Sequence, residues 1–235
     1  MPLPVPVAWL AACAVASASA AEPSLPPVGA GPCIACRASA SDPRSAFSAS
    51  DWAALEHGRD LLATPQREAS ANDLSAHTTA TSLVPRPPGE VWSVLTDFER
   101  WPSFMPLLRE THVERRDGEK LWVAQKFRVW FYPLRHTTVY QLDPNDGRLD
   151  WRLDPDAPHD IAASEGHWDL VAVDGGAATL VRYDAKMSAG RRVPAFLERS
   201  LRERSLGQML EALRGEVLRR FPRPALPASR PGALR

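Results

Sequence analysis

Residues 84–106 read VPRPPGEVWSVLTDFERWPSFMP. A strand-like run ends at Val84 in a proline-rich break, and a short amphipathic helix begins behind it. That helix stops at Asp97-Phe98. Trp101-Pro102 then starts a second short turn, closed by Met105-Pro106. Two helices this short cannot make a bundle. Placed between strands, they brace the mouth or back of a curved sheet. The stretch predicts a protein that encloses something apolar rather than one built around a reactive side chain.

Upstream, Trp52, Leu55 and Leu62 fit one face of a short helix that Gly58 interrupts, with a strand over residues 59–68 as the alternative. Residues 69–73 read as a turn. Residues 77–84 form the next strand, favoured by Thr78, Thr79 and Thr81. Downstream, residues 107–116 run to the Asp117-Gly118 turn. Residues 120–132 make a long strand that Pro133 closes, with Leu121, Val123, Gln125, Phe127, Val129 and Phe131 on one face. Residues 135–142 follow and end in Pro144-Asn145-Asp146-Gly147, a strong turn. Leu149, Trp151 and Leu153 alternate with Asp150, Arg152 and Asp154, the pattern of a half-buried strand. Residues 159–173 and 179–187 form the next pair, joined through Asp174-Gly175-Gly176. In the second of these Thr179, Val181, Tyr183, Ala185 and Met187 face one way, and Leu180, Arg182, Asp184 and Lys186 the other.

A long helix closes the domain. Pro194 suits its first turn, where a missing N–H costs nothing. Leu197, Leu201, Met209, Leu213 and Val217 form its apolar stripe. Ser205 and Gly207 lie mid-helix, where small side chains allow close approach of a sheet or a ligand. Pro222, Pro224 and Pro227 end it. The order is a strand, two short helices, about six antiparallel strands and a long helix. This predicts an α+β fold in which a curved antiparallel sheet wraps one amphipathic helix and satisfies both apolar faces. Bending the sheet around the helix leaves a hollow, and pockets of this kind measure about 300–1,000 Å³.

The chain has 235 residues and no net charge, so the molecule as a whole exerts no strong pull on nucleic acid. Residues 189–235 nonetheless carry eleven Arg against four Glu, a net +7. Such a segment is either a solvated Arg-rich helix face or a surface for anionic lipid. Residues 5–16 are mostly apolar and Ala18-Ser19-Ala20 supplies a small-x-small cleavage pattern, so residues 1–21 read as an export signal. No Lys or Arg precedes the apolar run. Leu10-Ala11-Ala12-Cys13 also resembles a lipoprotein box, ranked second because so little apolar sequence precedes Cys13. The expected destination is periplasmic or secreted.

Residues 22–50 are rich in Ala, Ser, Pro and Gly and read as a flexible linker, residues 51–221 as the domain, and residues 222–235 as a disordered tail. Cys33 and Cys36 sit in the linker as Cys-Ile-Ala-Cys-Arg. Haem attachment requires a His where Arg37 stands, and zinc requires a second ligand pair. A thioredoxin-like centre belongs at a strand-to-helix junction. A local disulfide is the expected state outside the cytoplasm.

These elements resemble the START-like, Bet v 1-like superfamily of helix-grip proteins, also called SRPBCC or polyketide cyclase/lipid-transport proteins. The residues that carry the resemblance are PPGEVWSVLTDF at 87–98, Trp101-Pro102, Phe104-Met105-Pro106, EGHWDL at 165–170, TLVRY at 179–183 and VPAFL at 193–197. It spans residues 59–221 and is most similar to the coenzyme Q-binding START branch. The resemblance implies a cavity for a hydrophobic molecule such as a lipid, an isoprenoid quinone or a polyketide, with no cofactor. Superfamily members transport, sequester or present ligands, and a minority catalyse cyclisation. The expected function is therefore binding or transport of a hydrophobic ligand. The alternatives are a cyclase or aromatase with Tyr183, Arg182 or Gln125 as polar players, and an envelope-surface module acting through the Arg-rich helix.

Candidate cavity residues are Gln125, Phe127, Val129, Phe131, Trp151, Trp168, Tyr183 and Met187, with Leu201, Met209 and Leu213 from the helix. Gln125 stands out, because an unpaired amide on an apolar face is costly. It either meets a ligand carbonyl or a neighbouring backbone group. His159-Asp160 and His167 raise a metal site or an acid/base pair. Their separation matches no helical pairing, and His167 points outward if Trp168 points inward. No metal ligand set, nucleophile elbow, phosphate loop or dinucleotide fingerprint is present.

Overall fold

A computed structural model describes residues 42–63, 66–70, 73–129, 132–188 and 195–222. The export signal, Cys13, Cys33, Cys36, Phe131, Pro194 and the tail beyond Pro222 lie outside the described residues. Among the described residues, regular structure starts inside the segment read as linker, with a 3-10 turn at Pro43–Ala46 and helix α1 at Ala49–Glu56. Ser48 caps α1 by accepting from the Asp51 N–H at 3.1 Å. Leu62 is not part of α1 but of the two-residue strand β1, Leu61–Leu62.

Beyond β1 come a hairpin of β2 (Gln66–Ser70) and β3 (Asp73–Val84), helix α2 (Pro88–Leu95) and a 3-10 turn at Phe98–Ser103. A meander follows: β4 (Leu108–Asp117), β5 (Lys120–Val129), β6 (Tyr132–Asp143), β7 (Arg148–Leu153), β8 (Ala163–Val173) and β9 (Ala178–Ser188). Helix α3 spans Ala195–Arg220. The nine strands form one antiparallel sheet ordered β1-β3-β9-β8-β7-β6-β5-β4, with β2 paired to β3. Among the described residues the sheet thus has two more strands than the seven expected, the additions being short β1 and β2.

The long strand expected over residues 120–132 is shorter. β5 ends at Val129, β6 begins at Tyr132, and the two residues face each other in register. Pro133 lies inside β6, opposite Arg128. β7 reaches only Thr138–Asp143 of β6, so Pro133 has a strand neighbour on one side alone among the described residues. A proline, lacking an N–H, is tolerated in such a place. The strand expected from residue 159 begins at Ala163.

Topology gives the opening segment its task. β3 pairs with β9 over Ser75↔Ser188 to Val84↔Thr179, so the chain leaving β3 must cross to the far edge of the sheet before β4. α2 and the 3-10 turn make that crossing. Val91, Val94 and Leu95 from α2 and Phe98 and Trp101 from the turn are buried with Leu210, Leu213 and Val217 of α3. Leu121, Val123, Leu142, Leu149, Leu170 and Val181 complete this core from the sheet. Each fully buried Leu or Val contributes about 1.5–3 kcal/mol. On the opposite face, Leu55 of α1 packs on Val173, Ala178 and Leu180. Leu180 was expected on the outward face, and α1 is what covers it.

Charge locks α3 in place. Arg220 donates to Asp97 at 2.8 Å and to Glu216 at 2.7 Å, tying the helix end to the crossing segment. Arg86 donates to the carbonyl of Phe221, and Thr179 donates to that of Arg86. One turn earlier, Arg214 pairs with Asp60 and donates to Ser82. Arg219 beside Glu216, with Arg220, holds the Glu216 carboxyl down to about 2.

Gly166 faces Trp151 across β7 and β8. A Cβ there would lie 2.5 Å from Trp151 Cζ2 and closer still to the Asp184 carbonyl oxygen. Gly166→Ala is therefore expected to destabilise the domain by about 2 kcal/mol through overpacking. Gly215, in α3 with nothing within 4 Å of its Cβ position, provides the contrast. Gly215→Ala is expected to stabilise by about 0.5–1 kcal/mol, because alanine suits a helix interior better. Urea unfolding of the two variants checks both signs.

Candidate functional site

Between α3 and the sheet lies a cavity of about 250 Å³. Its volume falls just below the range of about 300–1,000 Å³ usual for ligand pockets. Leu206 and Met209 of α3 line it, together with Trp101, Met105 and Leu108 from the crossing segment and the start of β4. Two aromatic clusters form much of its wall. In one, Phe98, Trp101 and Tyr140 meet, with Phe98 4.5 Å from Tyr140 and Trp101 edge-on at 5.9 Å. In the other, Tyr183 stacks on Trp151 at 5.3 Å and meets Trp168 at 4.7 Å.

Strand parity produces a polar line on this otherwise apolar wall. Leu134, His136, Thr138, Tyr140 and Leu142 are alternate residues of β6, and all are buried. His136 is the register partner of Gln125 on β5. Thr138 Oγ1 donates to Gln125 Oε1 at 3.0 Å, and Gln125 Nε2 donates to the Tyr140 hydroxyl at 3.3 Å. The Gln125 amide, expected to meet a ligand carbonyl or backbone, instead meets two side-chain hydroxyls. The His136 ring lies flat on Phe127 at 5.3 Å. Its Nδ1, like Trp101 Nε1, is buried without a hydrogen-bond partner. No Asp, Glu, Lys or Arg is among the described lining residues.

Burial sets the ionisation of the lining. It pushes the hydroxyls of Tyr140 and Tyr183 well above the usual phenol range, with Asp184 adding to the effect on Tyr183, so both stay protonated. It brings the His136 imidazole down to about 4, against the pull of Asp160 and helped by His159. At neutral pH the described residues of the wall therefore carry no charge.

Of the residues singled out in the sequence, Gln125, Phe127, Trp151, Trp168, Tyr183, Met187 and Met209 line this cavity. Val129 does not, and packs instead with Leu134 and Leu107. Leu213 is part of the main core rather than the wall. Leu201 falls in α3 where only the backbone is described. His136, Thr138 and Tyr140 were missed, although their spacing from Leu134 and Leu142 placed them on the inner face. His159 and His167 do not converge. His159 Nδ1 lies 2.7 Å from the Ile161 carbonyl oxygen, and His167 lies 3.4 Å from Asp169. The described arginines near the end of α3, Arg214, Arg219 and Arg220, are all paired with acids of the chain itself, which leaves less of the Arg-rich segment for a lipid surface.

The model of the polyketide cyclase/dehydrase and lipid transport family matches residues 75–218, and the chain belongs to that family. No curated protein matches it significantly. Among solved structures, it is similar to the Zhui aromatase/cyclase of Streptomyces sp. R1128, at 20% identity and a TM-score of 0.55, over 62% of this chain and 95% of that one. It is also similar to a STAR-related lipid transfer protein of Xanthomonas axonopodis, at 16% identity and a TM-score of 0.53, over 65% and 98%. A START superfamily protein of Mycobacterium smegmatis matches at 17% identity and a TM-score of 0.52, over 61% and 97%. These similarities establish the helix-grip fold, and the family match stands at the level of the wider family.

His136 yields a pH prediction with a defined sign. Its folded value of about 4 is below the ordinary 6.5, so the unfolded chain takes up the proton first as pH falls. The stability of the neutral, buried ring is present above pH 6.5, declines from there to about 4, and falls no further below. His136→Gln is expected to flatten the loss of melting temperature across that window relative to the parent protein, as read by circular dichroism.

Proposed function

We propose that this chain binds a hydrophobic small molecule non-covalently in the cavity under α3 and serves as its carrier. The observation that carries the reading is the cavity wall rich in Trp, Tyr, Met and Leu, without one formally charged side chain among its described residues. Membership of a family described as polyketide cyclase/dehydrase and lipid transport supports it. A lipid, an isoprenoid quinone and a polyketide-like ring system are the ligand types considered. Each buried CH₂ group contributes about 0.8 kcal/mol, and the polar line on β6 sets orientation.

Met209→Trp fills the space from the helix side. It is expected to weaken binding of an apolar fluorescent probe, N-phenyl-1-naphthylamine, by more than about tenfold while leaving the melting temperature within a few degrees. Unchanged probe affinity in a folded variant contradicts the reading.

The neighbouring aromatase/cyclase motivates a second reading, in which the same cavity orients a poly-β-ketone for cyclisation. Its polar players here are Gln125, Tyr140 and His136, and turnover of such a substrate is its test.

We also propose that the chain is exported through residues 1–21, on the strength of the apolar run and the Ala18-Ser19-Ala20 pattern. Amino-terminal sequencing of protein from its own host is expected to start just after Ala20 or Ala21. A start at Met1 or Pro2 contradicts export by cleavage.

A further inference from the structure

We propose that the cavity selects a ligand that is uncharged where it is buried, and that the Tyr140 hydroxyl donates to an acceptor oxygen on it, such as a ketone. This rests on the binding reading above and narrows it. The first support is the composition of the wall. Its 21 described lining residues include neither a cation to pair with a carboxylate or phosphate nor an anion to pair with an amine. An unpaired ion in such surroundings is strongly disfavoured. The only imidazole, His136, stacks on Phe127 and is itself kept neutral by burial.

The second support is the direction of the hydrogen bonds. Thr138 donates to Gln125, and Gln125 donates to Tyr140. The Tyr140 oxygen is thus an acceptor, and its own hydrogen has no acceptor among the described residues. Buried tyrosine hydroxyls normally find a partner. Phe98 and Trp101 pack on the Tyr140 ring and fix where that hydrogen can go. Trp101 Nε1 is a second buried donor without a partner on the same wall. Beside His136 Nδ1, whose role depends on its tautomer, the unpartnered groups on this side of the cavity are thus donors, which calls for an oxygen acceptor on the ligand. Tyrosine keeps its proton here, so the donor is present at every pH at which the protein is folded near neutrality.

Three near-isosteric probes test this by titration calorimetry at pH 7.5: 2-acetylnaphthalene, 2-ethylnaphthalene and 2-naphthoate. The ketone is expected to bind about tenfold more tightly than the alkyl compound, the value of one neutral hydrogen bond. The carboxylate is expected to bind about 100-fold more weakly than the ketone, or not at all. Tyr140→Phe is expected to bring the ketone-to-alkyl affinity ratio to about one. Equal binding of ketone and alkyl compound by the parent protein overturns this inference and leaves the binding reading intact. So does carboxylate binding as tight as the ketone's, or an unchanged ratio in folded Tyr140→Phe. If that variant does not fold, the parent protein's ranking of the three probes decides. Binding of none of the three overturns both readings.

Discussion

An open curved sheet has a concave face that must be covered, and this chain has one long helix with which to cover it. Near its end, α3 buries Leu210, Leu213 and Val217 against the sheet and the crossing segment. One turn further back, Leu206 and Met209 line a hollow instead. The helix is held at that height by Arg214 on Asp60, Arg220 on Asp97 and Arg86 on the Phe221 carbonyl. Core and cavity are two consequences of the same geometry: where the crossing segment fills the space, there is core, and where it ends at Trp101 and Met105, there is a pocket.

The aromatic residues mediate between the two regions. Trp101 and Tyr140 are core on one side and wall on the other, with Phe98 packed behind them. Trp151, Trp168 and Tyr183 do the same on β7, β8 and β9. Rigid rings with few torsions keep such a hollow from collapsing, at small cost in side-chain entropy. Gly166 makes room for one of them, since the Trp151 ring occupies the space its Cβ would take. A ligand in this cavity gains dispersion contacts from several ring faces at once.

Much of the fold was legible because period-two alternation is strong in β5, β7 and β9, and because the Pro-Pro-Gly-Glu start of α2 marks its own boundary. Pro133 misled, since a proline closes a strand only where both its edges are paired, and β6 has one neighbour there. The short helix at Trp52 and Leu55 was legible, but its covering of Leu180 was not, because nothing local in the sequence names the sheet face on which it packs. In the cavity, the large apolar side chains announced themselves, but the polar ones did not. His136 and Thr138 sit in a run, Arg135-His136-Thr137-Thr138, that carries no apolar signal. Only the parity set by Leu134, Tyr140 and Leu142 places them inside. The ion pairs holding α3 were out of reach for another reason: Arg214 and Asp60 are 154 residues apart in sequence.

The central claim is that this fold exists to enclose a hydrophobic, uncharged molecule. It is tested most directly by native mass spectrometry of the protein purified from its own host without detergent, followed by organic extraction. The account predicts a species heavier than the polypeptide itself and an extract containing a neutral, oxygen-bearing apolar compound in stoichiometric amount. Recovery of the bare polypeptide mass alone, or of an anionic lipid in the cavity, would contradict it.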